Sequence, residues 1–294
     1  METGKFRGFE ISINDPGIAL VTFDRPERLN GTTQHMKRDL VETLLQVQMD
    51  DTIRVIVFTG SGRAFSAGDD ITGRAVEYPG ARALVPDILP GHDHPTGTYN
   101  GLRAISQPLN LAVRNLDKPV IAAMNGDTMG AGLELSLNCD IRIAQRGDFR
   151  IGFPEVALGI LTGTGSQLLA RMIGVGRALD FLLRSRTVSP EGALELGIVN
   201  ELAADARARA LEVAEGLKCL SPVSVVAAKR SIVRGANLPI EEGLQIEGEE
   251  WLKTIVTDDA MRLMRDYVAQ PFEKRREWIR VHGVPPAAGN ATGA

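Results

Sequence analysis

Two glutamates and three glycine-bearing segments are the residues best suited to chemistry in this chain. Glu134 lies in the apolar run GLELSLN, and Glu155 follows Pro154 directly after an apolar segment. Two carboxylates in surroundings of different polarity can divide proton work, one as acid and one as base. Their spacing of 21 residues does not by itself bring them together, and each alone also reads as a helix-face or capping glutamate. The segment GRAFSAGDD (62–70) follows an apolar strand, and its Gly68 lets backbone approach a ligand closely. In NGDTMGAGLE (125–134), Gly130 and Gly132 flank Ala131 at the expected start of a helix. Free N–H groups there attract negative charge, including a carbonyl oxygen that becomes an oxyanion. In LGILTGTGS (158–166), Gly163 and Gly165 precede another helix and could offer an N–H to a bound water. Residues 60–73 and 126–165 together hold 12 of the 31 glycines, about twice the chain average. Each segment, taken alone, is equally compatible with an ordinary turn.

Other chemistries are poorly supported. No Gly-Lys-Ser/Thr completes a phosphate loop, no Gly-x-Gly-x-x-Gly marks a dinucleotide site, and no Gly-x-Ser-x-Gly presents a nucleophile. His92 and His94 flank Asp93 without an evident third ligand, so HDH reads as a solvated loop and no metal is expected. Cys139 and Cys219 cannot build a disulfide framework, which favours a reducing compartment. A net charge of −4 argues against a nucleic-acid partner. The polar N-terminus lacks a signal core, and no apolar run approaches the ~20 residues of a membrane span. The expectation is a cytoplasmic protein, with the sequons at Asn30 and Asn290 as chance matches.

The elements that must hold these residues read as α/β. Apolar alternation over 8–13 and 17–23, separated by Asn14, Asp15, Pro16 and Gly17, predicts a hairpin. A helix is predicted over 33–49 and a strand over 53–59. Prolines 79, 86, 90 and 95 interleaved with glycines predict a long surface loop over 74–97, then a helix over 98–115. Strands are predicted at 119–126, 139–145 and 148–153, with a helix over 129–138. From 164 onward the pattern is mostly helical: 164–173, 175–184, 189–195, 203–218, 222–235, 239–255 and 257–269. The tail 283–294 is rich in small residues and is expected to be flexible.

In this order the segments RPERLN (25–30), RAFSAGDDI (63–71), KPVIAAMNGDTMGAGLELSLNCDIRIA (118–144), FPEVALGILTGTGSQLLARMIG (153–174) and SRTVSPEGALELGIVNEL (185–202) resemble the enoyl-CoA hydratase/isomerase (crotonase) superfamily. The resemblance spans about residues 8–280. It implies a spiral of repeated ββα units over 1–202 and a C-terminal helical region over 203–282 that assembles trimers, often paired into hexamers. It implies a coenzyme A thioester substrate whose carbonyl is held by two backbone N–H groups, which map to Asp69 and Ala131. Arg28, Leu29, Ala67, Gly68, Asp70, Ile71 and Gly130 map to the substrate path, with Arg28 the candidate for a phosphate contact. Glu134 and Glu155 match the paired glutamates of the family's hydratases, and Gly163 the N–H that positions water. No cofactor beyond the coenzyme A of the substrate is implied.

Three departures stand out. Asp69 occupies a position where a small residue is usual, Ala131 replaces a usual glycine, and the stretch from Asp70 to Lys118 is longer than in short members. The resulting expectation is hydration of a 2-enoyl-CoA. Isomerisation of an enoyl-CoA or hydrolysis of an acyl-CoA are the rival reactions, and a non-catalytic acyl-CoA-binding protein the rival of another class.

Overall fold

The computed structural model describes residues 1–71, 78, 80–86 and 95–284. The N-terminal strands β1 (Gly4–Phe6), β2 (Phe9–Asp15) and β3 (Ile18–Phe23) form an antiparallel meander. Gly17, at φ +94, turns the chain between the last two. Helix α1 (Gln34–Met49) follows, with the Thr33 side chain accepting from the Met36 N–H as its cap. Next come β4 (Val55–Gly60) and β5 (Ala64–Ser66). A continuous helical stretch then joins α2 (Pro95–Gly101), a π-helical segment at Leu102–Ser106, and α3 (Gln107–Asn115).

The central block runs β6 (Val120–Met124), β7 (Asp127–Met129), α4 (Ala131–Asn138), β8 (Ile141–Gln145) and β9 (Ile151–Gly152). It continues through α5 (Gly165–Ile173), α6 (Val175–Leu183), β10 (Thr187–Val188), α7 (Pro190–Glu195) and β11 (Glu201–Ala203). Helices α8 (Ala206–Cys219), α9 (Pro222–Gly235), α10 (Ile240–Ile255), α11 (Asp258–Ala269) and α12 (Arg275–His282) complete it.

The strands form two sheets. The larger has the order β1-β2-β3-β4-β6-β8-β11 and is parallel from β3 onward. The smaller has the order β10-β9-β7-β5, with β5, β7 and β9 mutually parallel. β4 and β6 are buried on both faces, which explains why they read as apolar runs rather than alternations. One face of the large sheet packs with α1, α3 and α4 through residues such as Phe23, Phe58, Phe65, Leu40 and Leu133. The other is covered by α8, whose Ala206, Ala210, Val213 and Ala214 meet Leu20, Val57, Ile121 and Ile143. Helix α8, grouped above with the C-terminal region, therefore buries its apolar face against the strands. In α9 to α12 very few side chains are buried.

Several elements differ from the sequence expectation. β5, β7, β10 and β11 lie in segments predicted as loop or helix flank; two or three residues are too few to show a period of two. Helix α4 begins at Ala131 rather than 129 because Asp127–Met129 pair as β7. Helix α12 lies beyond the last predicted helix. Of the predicted 74–97 surface loop, residues 80–86 are pinned to the core. Leu84 and Val85 N–H donate to Asp39 Oδ1 at 3.1 and 3.2 Å, and the buried Arg7–Asp39 ion pair closes at 2.6 Å. Residues 87–94, with His92, Asp93 and His94, and the tail from 285 lie outside the described residues.

Gly132 shows how tightly α4 sits on β5: a Cβ there would stand 2.4 Å from the Ser66 carbonyl oxygen. Gly132→Ala should therefore destabilise the fold by about 1–3 kcal/mol, as overpacking does. Gly176, on α6 with open space around it, is the control: Gly176→Ala should stabilise by about 0.5 kcal/mol. Denaturant unfolding of the two variants checks both signs.

Candidate active site

The site is assembled where three parallel strands end side by side. Ala64 pairs with Asp127 and Ser66 with Thr128, while Thr128 pairs with Ile151 and Met129 with Gly152. That register delivers the residues after β5 (67–69), after β7 (130–131) and after β9 (153–155) to one edge. The approach is close. A Cβ on Gly68 would lie 3.0 Å from the Met129 carbonyl oxygen and 3.3 Å from the Ala131 nitrogen, and Gly68 holds φ +97. Only glycine fits both the space and the backbone angle.

Two backbone N–H groups at this edge are candidates to meet a ligand. Thr32 forms a parallel bridge with Asp69: Thr32 N–H donates to the Gly68 carbonyl at 2.8 Å, and Asp70 N–H donates to the Thr32 carbonyl at 2.9 Å. In that pattern the Asp69 N–H points away from Thr32. Ala131 is the first residue of α4, where a helix N–H has no intrahelical acceptor. Neither N–H has an acceptor among the described residues. Both lie at the one edge where a carbonyl oxygen would gain from them as it becomes charged.

The carboxylates face the same place. Glu134 sits one turn into α4, its N–H donating to the Gly130 carbonyl at 2.9 Å. Its carboxylate is buried and accepts from the Gly163 N–H at 2.5 Å, the Thr164 hydroxyl at 3.1 Å and the Asn110 amide at 3.4 Å. Burial raises its pKa, opposed by these donors and by the positive charge of Lys37. Glu155 is placed differently. Its Oε1 would meet a Cβ on Gly130 at 2.8 Å, and its Oε2 is buried with no hydrogen-bond partner among the described residues. Burial pushes its pKa up to about 7, with Glu134 and Asp69 adding like-charge repulsion. Both carboxyls are thus raised by burial, Glu155 to about 7, while Glu134 keeps donors that offset part of the push.

The remaining sequence-predicted residues fall around this edge. Ala67 N–H donates to the Leu29 carbonyl at 2.9 Å, so the 25–32 loop runs beside 67–70. Asn30, fully buried, fixes that loop by donating to the Ser61 and Ala64 carbonyls at 2.9 and 2.8 Å. Arg28 and Arg25 both reach the buried Asp70 carboxylate, at 3.1 and 2.8 Å. The side chain of Asp70 is thereby held within the protein. Ile71 is largely exposed, and Gly163 presents its N–H to Glu134. Among the described residues no group of three or more His, Cys, Asp or Glu could hold a metal ion.

Sequence reasoning missed Asn110, Thr164, Lys37 and Ser106. Lys37 was the most findable, because it shares the helical spacing of Leu40, Leu44 and Val47, all of them buried. Asn110 looks like any polar residue of an amphipathic helix until α3 is seen to pack on α4.

The enoyl-CoA hydratase/isomerase family profile matches residues 14–278. A short-chain-enoyl-CoA hydratase from Clostridium acetobutylicum is 30% identical over 263 residues, covering 88% of this chain and 92% of the relative. The 1,2-epoxyphenylacetyl-CoA isomerase of Escherichia coli is 37% identical over 198 residues, 67% of this chain and 70% of the relative. The crystal structure of an enoyl-CoA hydratase from Bacillus anthracis superposes with a TM-score of 0.79 at 29% identity, covering 92% of this chain and 97% of that one.

The raised pKa of Glu155 has a consequence for stability. Between the ordinary 4.5 and about 7 the folded protein binds more protons than the unfolded chain at this residue. Stability contributed by Glu155 is thus present at low pH and lost as pH rises through about 7. Glu155→Gln should be close to neutral at pH 5 and stabilising at pH 8. The gain should be about 1–2 kcal/mol, allowing for solvent on the outer side of the carboxyl. Thermal unfolding at the two pH values checks the sign.

Proposed function

Because the chain belongs to the enoyl-CoA hydratase/isomerase family, whose enzymes act on acyl-CoA thioesters, we propose that its reaction is the addition of water across the 2,3 double bond of a 2-enoyl-CoA. The observation that carries this reading is the triple hold on Glu134 beside an unpartnered Glu155 oxygen. An isomerase needs one group to carry a proton between carbons. A hydratase needs a second carboxylate that can act on water, and the three donors that orient Glu134 support that role.

In the proposed step the thioester carbonyl accepts from the Asp69 and Ala131 N–H groups. Water lies between the carboxylates. Glu134 takes one proton from it as its oxygen bonds to C3. The π electrons move toward the thioester, whose oxygen gains charge against the two N–H donors, and Glu155 then delivers its proton to C2. Glu134 ends protonated and Glu155 ionised, so one proton exchange with solvent resets the pair. Electrophile, donors and acid–base groups are all supplied by thioester and protein, and the scheme calls for no metal or redox cofactor.

The substrate path follows from the same placement. Leu29, Ala67, Gly68 and Gly130 would border the pantetheine arm, with Ile71 at its outer end. Arg28 would meet a coenzyme A phosphate while sharing Asp70 with Arg25. Cys139 is buried and Cys219 exposed, both as free thiols, which fits a reducing compartment such as the cytoplasm. No helix among the described residues is long and apolar enough to cross a membrane.

The last helices expose large apolar residues, among them Leu244, Trp251, Leu252, Met261, Phe272 and Ile279, which suits an interface. They would be covered in a homotrimer or a dimer of trimers. Light scattering should report three or six chains per particle, and a monomer at micromolar concentration would contradict it.

A panel of 2-enoyl-CoA thioesters, followed by loss of the conjugated-thioester absorbance, should identify at least one that is hydrated. Glu134→Gln and Glu155→Gln should each lower kcat by ~10²–10⁴-fold with little change in KM. The wild-type profile of kcat/KM should be bell-shaped. Its alkaline fall should lie near pH 7, where Glu155 loses its proton, and its acid fall should come from protonation of Glu134. Full turnover in both variants would overturn the mechanism. Shuttling of the double bond without water uptake would turn the assignment to an isomerase.

A further inference from the structure

Beside the paired glutamates lies a third carboxylate, and with it a buried lysine. Lys37 projects from the core face of α1, and its side chain is 4% exposed. A buried ammonium is costly unless paired. Lys37 Nζ lies 2.5 Å from Asp69 Oδ1 and donates to the Ser106 hydroxyl at 2.8 Å. The Thr32 hydroxyl reaches the same Asp69 oxygen at 2.8 Å. Asp69 is the residue whose N–H is one of the two oxyanion donors, and its side chain is half exposed. Ser106 stands one helical turn before Asn110, which donates to Glu134. A polar chain therefore runs from Asp69 through Lys37 and Ser106 to the helical stretch that carries Asn110, whose amide reaches Glu134 on α4.

The charges around this chain come from separate elements. α1 gives Lys37, the turn after β5 gives Asp69, α4 gives Glu134, and the turn after β9 gives Glu155. The polar side chains that the helical stretch 102–115 adds to it are the neutral Ser106 and Asn110. Asp70 is turned away into its pairs with Arg25 and Arg28. An unneutralised Asp69 would set a negative charge next to a forming oxyanion and next to an ionised base. Lys37 is the cation placed to cancel it.

We propose that Lys37 is a positioning residue for the proton chemistry of this site: its buried ammonium neutralises Asp69 at the oxyanion donors and so limits the negative charge that bears on Glu134. The proposal rests on the assignment of Glu134 as base, and it predicts a charge coupling that exists whether or not substrate is turned over.

The test uses Lys37→Met, Asp69→Asn and the double variant in the full-length protein. The primary readout is the carboxyl ¹³C resonance of Glu134 in the resting enzyme, identified by its loss in Glu134→Gln and followed against pH. Lys37→Met should raise the Glu134 midpoint by about one pH unit or more, as removal of a close opposite charge does. Asp69→Asn should lower it, and the double variant should return toward wild type. The acid limb of kcat/KM should move in the same directions. At the optimum Lys37→Met should lose at least tenfold in kcat, most of it restored by adding Asp69→Asn. A folded Lys37→Met protein with an unmoved Glu134 midpoint would overturn the proposal. If Lys37→Met does not fold, an unmoved midpoint in Asp69→Asn would overturn it instead. Failure of the wild type to hydrate any enoyl-CoA would defeat the hydratase reading alone, since the resonance still reports the coupling.

Discussion

The close backbone approach between the turn after β5 and the start of α4 is the constraint on which the rest of the site depends. At Gly68 and Gly132 the neighbouring backbone atoms stand where a Cβ would have to be. Two polypeptide segments can come this near only if hydrogen replaces a side chain on each. In return, the segments that carry the Asp69 and Ala131 N–H groups are held side by side at the edge of the small sheet. The parallel register of β5, β7 and β9 fixes the position along the strands, and the glycines fix the separation. Neither could be relaxed without moving a donor.

A second consequence is the unequal treatment of the two carboxylates. Both are buried, and burial alone would drive both toward the neutral form. For Glu134 that push is partly offset by three donors from two segments: Gly163 and Thr164 ahead of α5, and Asn110 of α3. Among the described residues Glu155 receives no comparable support and carries an oxygen without a partner. The difference between the two carboxylates is thus made by the surroundings and not by residue type. The unpartnered oxygen is a local cost in stability, of the kind expected where a protein holds a group ready for a substrate.

Polar groups buried elsewhere serve the same geometry. Arg25, Arg28 and Asp70 clamp the 25–32 loop to the chain that follows β5, while Asn30 ties it to the turn between β4 and β5. Arg7 and Asp39 hold residues 84–85 of the long insertion against α1. Pairs of this kind contribute little net stability when compared with apolar packing, but breaking one leaves a buried charge. They specify where loops lie, which an apolar core does less sharply.

The division between sequence and tertiary structure follows from range. Periodicity and turn chemistry are local. They were enough to place α1, β2, β3, β4, β6 and the helices from α5 to α11 within a few residues. The motif order was enough to point to the family, and it singled out Glu134, Glu155 and the segments of Asp69 and Ala131 as candidates. β5 and β7 were not legible, because strands of three residues exist only through partners far along the chain. Nor were Asn110, Thr164 and Lys37 as neighbours of the carboxylates. Lys37 and Asp69 are 32 residues apart, on a helix and a turn with no shared pattern. The sequence by itself determined which groups could accept or donate protons. Only the folded chain decided which would be charged, because charge state depends on burial and on neighbours brought from distant segments.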